Sequence, residues 1–145
     1  MIKKDFIEKK IELIQEELGN LARLKEFSLP EIMSDFYKYN TLERLLEKIT
    51  MRAVDINQHL LRELGQGDAP NTYRETFLQL GKMGILPEKL AKSIAKSVGL
   101  RNILVHDYDD EIVDYSKIYD SVSDCLKDYH QYCQHISQFI NREED

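Results

Sequence analysis

Three observations predict an all-α fold, an antiparallel bundle of four long helices plus one short helix. Apolar residues recur at steps of three and four along most of the chain. No segment shows the alternating, β-branched pattern of strands. Pro30, Pro70 and Pro87 each sit beside a break in the apolar pattern, where the start of a helix tolerates proline.

The first helix is expected over about residues 2–26, with Phe6, Ile7, Ile14, Leu18 and Leu21 on one stripe. The second runs over about 31–64 and repeats Leu42, Leu45, Leu46, Ile49, Ala53, Ile56 and Leu60. The stretch Gly65-Gln66-Gly67-Asp68-Ala69-Pro70-Asn71 is the clearest loop. A short third helix over about 71–83 carries Tyr73, Phe77 and Leu80, with Asn71 or Thr72 able to cap it. The fourth starts at Pro87-Glu88, runs over about 87–107 and carries Leu90, Ile94, Val98 and Leu100. The fifth, over about 112–141, carries Tyr115, Ile118, Tyr119, Val122, Leu126, Tyr129, Ile136 and Ile140. Each stripe covers one side only, so the helices must bury against one another.

Composition bounds what such a bundle can be. The chain has 145 residues, 42% apolar and 32% charged, which fits one domain over residues 1–145 with a core of its own. Its longest apolar run is Ile103-Leu104-Val105, too short for a membrane span or the apolar part of a secretory signal, and the charged start reads as part of the fold. Cys125 and Cys133 are eight apart in one helical stretch. That is roughly 12 Å of helix, too far for a disulfide between them, so a cytoplasmic location is expected. The net charge of −6 argues against a non-specific nucleic-acid coat protein, but not against an enzyme holding RNA at a local basic site.

Charge is uneven. Lys82, Lys89, Lys92, Lys96 and Arg101 face a single acid, Glu88, across residues 82–101, and seven acids follow against one base over 102–124. Lys89, Lys92 and Lys96 share a helical side leading toward Arg101. They read either as a phosphate track or as a solvated lysine face. The segment from Arg101 to Tyr108 is the most informative in the chain. Asn102 and His106 share one side of a helix, and Arg101 and Tyr108 the neighbouring one. Arg101 and His106 are five apart and diverge by roughly 140°, so one copy alone does not aim both at one atom. A histidine at a helix end is also a common structural device, stabilised by the helix dipole.

The stretch from Tyr73 to Tyr119 resembles the HepT-like proteins of the HEPN superfamily. Tyr73-Arg74-Glu75, Gly84-Ile85-Leu86-Pro87, and Arg101-Asn102 with His106 and Tyr108 carry the match. Leu42-Glu43-Arg44 and Val54-Asp55-Ile56 through His59-Leu60 resemble the family's second helix, while Asn57 stands where many relatives carry a small residue. These relatives are the toxin halves of toxin–antitoxin pairs whose partner is a minimal nucleotidyltransferase. The resemblance implies a homodimeric, metal-independent endoribonuclease without cofactors, its Arg-x4-His motifs meeting in a cleft between two chains. It makes His106 the acid/base and Arg101 the phosphoryl clamp, chemistry that suits an imidazole near neutral pH and a permanently charged guanidinium. It places Asn102 and Asp55 in support, with a helix-end hydrogen bond as the alternative for Asn102 and a structural hydrogen bond or ion pair for Asp55. It makes Tyr108 the residue that the nucleotidyltransferase modifies with AMP. The acidic net charge also fits a second reading, a non-catalytic subunit that binds nucleotide or presents substrate to a nucleotidyltransferase.

Other clusters fall short of a site. Only pairs among Cys125, His130, Cys133 and His135 share a helical side, so no metal is expected. The run Asp107-Tyr108-Asp109-Asp110-Glu111 lacks calcium-loop spacing, and Gly65 and Gly67 lack the lysine of a phosphate loop. His59 reads as a satisfied polar residue of the second helix.

Overall fold

A computed structural model describes residues 1–65, 70–106 and 115–142; at 100–106 and 115 it is the helical path of the chain that is described. The described residues form six helices: α1 (Lys4–Leu24), α2 (Leu29–Met33), α3 (Phe36–Leu64), α4 (Tyr73–Lys82), α5 (Glu88–His106) and α6 (Tyr115–Arg142). Four are long, as the apolar spacing requires, and the architecture is the expected all-α bundle.

One expectation is corrected. The second helix does not run unbroken from residue 31, because two caps divide it. Ser28 and Glu31 form a reciprocal capping box that starts the single-turn α2. Asp35 then accepts from the backbone N–H groups of Tyr37 and Lys38 and starts α3. Further on, Gly65 ends α3 with φ +64°, a left-handed conformation that glycine adopts without strain. Thr72, one of the two expected caps, starts α4 by accepting from Glu75 N–H at 3.2 Å. The start expected for the last helix near residue 112 lies outside the described residues.

The helices pack in a ring. α1 lies against α3 and α6, α5 against α6 and α4, and α4 closes back on α3. Cross-links give the directions. Glu17 meets Arg52 and Lys10 meets Asp55, each at 2.8 Å, so α1 and α3 are antiparallel. The end of α1 meets the start of α6, where Tyr119 donates to Phe27 O at 2.6 Å. α4 and α5 are antiparallel and very close. A Cβ on Gly81 would sit 2.7 Å from the Ala91 Cβ.

The buried apolar side chains form one cluster drawn from all six helices. The stripes predict most of it, with Tyr119 and Leu126 only half-buried against the cluster. Phe6 and Tyr73 stay partly in solvent, Tyr73 at 43% exposure. The interior also holds a polar chain. Asn57 is fully buried and its amide donates to Thr76 Oγ1 at 3.0 Å. Thr76 donates onward to Tyr73 O at 2.6 Å. The Tyr132 hydroxyl lies 2.6 Å from Asn57 Oδ1 and 3.0 Å from Ala53 O. Every buried polar atom here has a partner, so the network fixes α3, α4 and α6 against each other without stranding a donor. Burial accordingly holds the Tyr132 phenol well above its ordinary pKa.

Candidate active site

α5 carries the motif. It begins directly after Pro87 and buries Leu90, Ala91, Ile94, Ala95 and Val98. Lys89, Lys92 and Lys96 are exposed along it. Lys92 pairs with Glu88 at 3.0 Å, one turn back, an exposed contact worth ~0.5 kcal/mol or less. Lys89 and Lys96 have no hydrogen-bond or ion-pair partner among the described residues. The helix continues without interruption through Arg101, Asn102 and His106. On that path Arg101 and His106 keep their angular separation of roughly 140°. Gly99, Asn102 and His106 occupy one side of the helix by register. Tyr108 lies outside the described residues.

Asp55 sits elsewhere. It is on α3, and its Oδ2 lies 2.8 Å from Lys10 Nζ of α1. Its carboxylate is thereby paired in the α1–α3 seam. An ion pair this exposed contributes ~0–1 kcal/mol.

His59 is satisfied in the same seam. It is 3% exposed, its ring lies tilted against Phe6, and Nε2 accepts from Lys3 N–H at 2.9 Å. That bond requires an unprotonated Nε2, and burial lowers the imidazole pKa. His59 is thus held neutral by packing and does not approach α5. Cys133 is likewise a core residue, with burial pushing its thiol up to about 12, which makes it a poor nucleophile. Among the described residues no three His, Cys, Asp or Glu side chains gather where they could hold a metal ion. No helix among them is long and apolar enough to cross a membrane.

One cation near the motif is not evident from spacing. Arg74, in the first turn of α4, runs its side chain over α5, with Cδ 3.7 Å from where a Cβ on Gly99 would lie. In the sequence it is legible only as one letter of Tyr73-Arg74-Glu75. The antiparallel α4–α5 pairing is what brings it to the helix bearing Arg101 and His106.

Comparison with known proteins agrees with this architecture. A family model described as ribonuclease HepT-like matches residues 3–136, which takes in all of α5. The tRNA nuclease HepT of Aphanizomenon flos-aquae is 40% identical over 134 residues, covering 92% of this chain and 89% of that protein. The mRNA nuclease HepT of Shewanella oneidensis is 28% identical over 126 residues, covering 87% and 86%. Among solved structures, the tri-AMPylated Shewanella oneidensis HEPN toxin in complex with MNT antitoxin aligns with a TM-score of 0.81 at 25% identity, over 92% of this chain and 98% of that one. With the family model spanning α1 to the last turns of α6 and the bundle matched over 92% of the chain, the chain belongs to the HepT-like ribonuclease family.

Proposed function

We propose that this chain acts as one helical domain and, as a homodimer, cleaves RNA at a site pooled from two copies of the α5 motif. The observation that carries this reading is the uninterrupted helix through Arg101 and His106 in a member of a ribonuclease family. Because the two residues diverge around the helix, a second copy supplies the group that one copy cannot aim. The chemistry needs only side chains. One His106 takes the proton from a ribose 2′-OH, and the 2′-oxygen attacks the adjacent phosphorus. The P–O5′ bond breaks, and the second His106 returns a proton to the departing 5′-oxygen. Arg101, always protonated, holds the phosphoryl oxygens as charge grows on them. The products are a 2′,3′-cyclic phosphate and a 5′-OH, and no metal enters the scheme. Asn102 supports His106 or the phosphate. Asp55, paired with Lys10, ties α1 to α3 and is the second supporting residue of this reading.

The substrate class we favour is tRNA, on the tRNA nuclease relative at 40% identity. The partner is a minimal nucleotidyltransferase antitoxin that adds AMP to Tyr108. Support comes from the fold-matched toxin that is itself AMPylated and bound to its MNT antitoxin. AMP beside the motif brings bulk and negative charge against Arg101. Cys125 and Cys133 are not bonded to each other, as suits a reducing compartment, and we place the protein in the cytoplasm.

The direct test is cleavage of tRNA and of an mRNA transcript in EDTA, with analysis of the product ends. Wild type should cut tRNA faster and leave cyclic phosphates, and His106→Ala should lose ~100-fold or more in rate. Cleavage by His106→Ala at the wild-type rate would contradict the assignment. Absence of cleavage by wild type, with nucleotide binding retained, would favour the non-catalytic subunit.

A further inference from the structure

We infer that Arg74, with Lys96 beside it on α5, forms a second phosphate-binding subsite that holds the RNA strand next to the scissile phosphodiester. The inference rests on the ribonuclease reading above and extends it to a residue outside the Arg-x4-His motif.

Three observations carry it. The first is position. Arg74 Cδ lies 3.7 Å from the place a Gly99 Cβ would occupy, so the stem crosses α5 at Gly99. By register Gly99, Asn102 and His106 share a side, and His106 is seven residues on, about 10 Å along the axis. A cation at Gly99 is therefore offset from the reacting centre along the helix, where the strand to either side of the cleaved bond must pass. Lys96 is one turn before Gly99 on the same side.

The second is availability. Arg74 and Lys96 are both exposed, and neither has a hydrogen-bond or ion-pair partner among the described residues. Several other basic groups of the fold are engaged. Arg52 holds Glu17, Lys10 holds Asp55, Lys38 holds Asp35 and Lys92 holds Glu88. On a chain of net charge −6, a guanidinium on the helix packed against the motif-bearing one, with no partner among the described residues, adds local positive charge.

The third is anchoring. The residue before Arg74 is fixed from below by the buried chain Tyr132–Asn57–Thr76, which ends on Tyr73 O. Arg74 thus leaves a rigid turn, so less entropy is lost when its guanidinium engages a phosphate. The sequence reading left the lysine side of this helix open between a phosphate track and a solvated face. Arg74 adds a cation from a second helix to that side, which a merely solvating face does not require.

The test is binding of a single-stranded 2′-O-methyl RNA, which lacks the attacking hydroxyl and cannot be cleaved by the proposed route. Affinity is measured against salt for wild type, Arg74→Ala, Arg74→Lys and the charge control Lys9→Ala on α1. Arg74→Ala should weaken binding about tenfold and reduce the slope of log affinity against log salt by ~0.7, the value for one single-strand phosphate contact. Arg74→Lys should restore the slope, and Lys9→Ala should leave it as in wild type. Equal slopes for wild type and Arg74→Ala, or a slope in Arg74→Lys as low as in Arg74→Ala, would overturn the subsite. Cleavage of unmodified RNA by wild type is scored separately. Its absence overturns the ribonuclease reading, whereas the uncleavable probe reports on Arg74 alone.

Discussion

His106 and His59 show how far a residue type alone decides chemistry. Both are imidazoles on helices, but only His59 has its neighbourhood described, and that neighbourhood explains it. Its Nε2 accepts a backbone N–H, its ring packs on Phe6, and burial depresses its pKa below the ordinary 6.5. The sign follows. The unfolded chain binds the proton more readily than the folded one, so stability is complete above pH 6.5 and falls as pH drops below it toward the lowered folded pKa. His59→Gln keeps an acceptor for Lys3 and removes the titration. In urea melts between pH 7 and pH 5, its stability should decline less steeply than that of wild type. Equal slopes would place the pH dependence elsewhere. Tyr108 makes the second prediction at this level. Tyr108→Phe should retain tRNA cleavage yet escape silencing when the nucleotidyltransferase and ATP are added, read by intact mass and residual activity. Silencing of Tyr108→Phe to the wild-type extent would move the modification elsewhere. The motif itself was visible in the sequence because Arg101, Asn102, His106 and Tyr108 lie within eight letters. Arg74 was not, because its relevance depends on which helix α4 packs against.

Helices were legible where burial is periodic and illegible where capping decides. The stripes of Ile7, Ile14 and Leu18, or of Leu90, Ile94 and Val98, repeat at helical spacing and are buried in the fold. The division of α2 from α3 depends on hydrogen bonds by Ser28, Glu31 and Asp35. Three polar letters within an apolar periodicity do not announce that outcome. Tyr73 misled for a related reason. It sits at helical spacing from Phe77 and Leu80, but α4 is only ten residues long and its first turn lies at the surface. The α4–α5 seam carries a sharp prediction. A methyl group at Gly81 meets Ala91 Cβ at 2.7 Å, and neither atom is the end of a flexible chain. Gly81→Ala should therefore destabilise by ~1–3 kcal/mol through overpacking, although alanine is the better helix former. Ala91→Gly added to it should recover part of the loss in thermal melts. Unchanged stability in Gly81→Ala would mean that the two helices are less closely packed than described.

In the proposed reading, the bundle as a whole accounts for the need of a second chain. α5 is gripped on one side by α4 and on another by α6, and the buried polar chain through Asn57 locks α4 in place. The helix that carries Arg101 and His106 is continuous, and a helix holds two residues five positions apart on different sides. A cleft between two such helices can collect two imidazoles and two guanidiniums around one phosphodiester. The acidic net charge is consistent with that division. Cationic groups need to converge only where these helices meet, with Arg74 and Lys96 extending the grip along the strand. The most direct measurement is the tRNA cleavage rate of heterodimers purified through two different tags, one chain wild type and the other His106→Ala. A site that draws its base and its acid from both chains predicts a rate at least ~10-fold below that of the wild-type homodimer. A rate of about half the wild-type value, as expected when each chain works alone, would contradict the shared site.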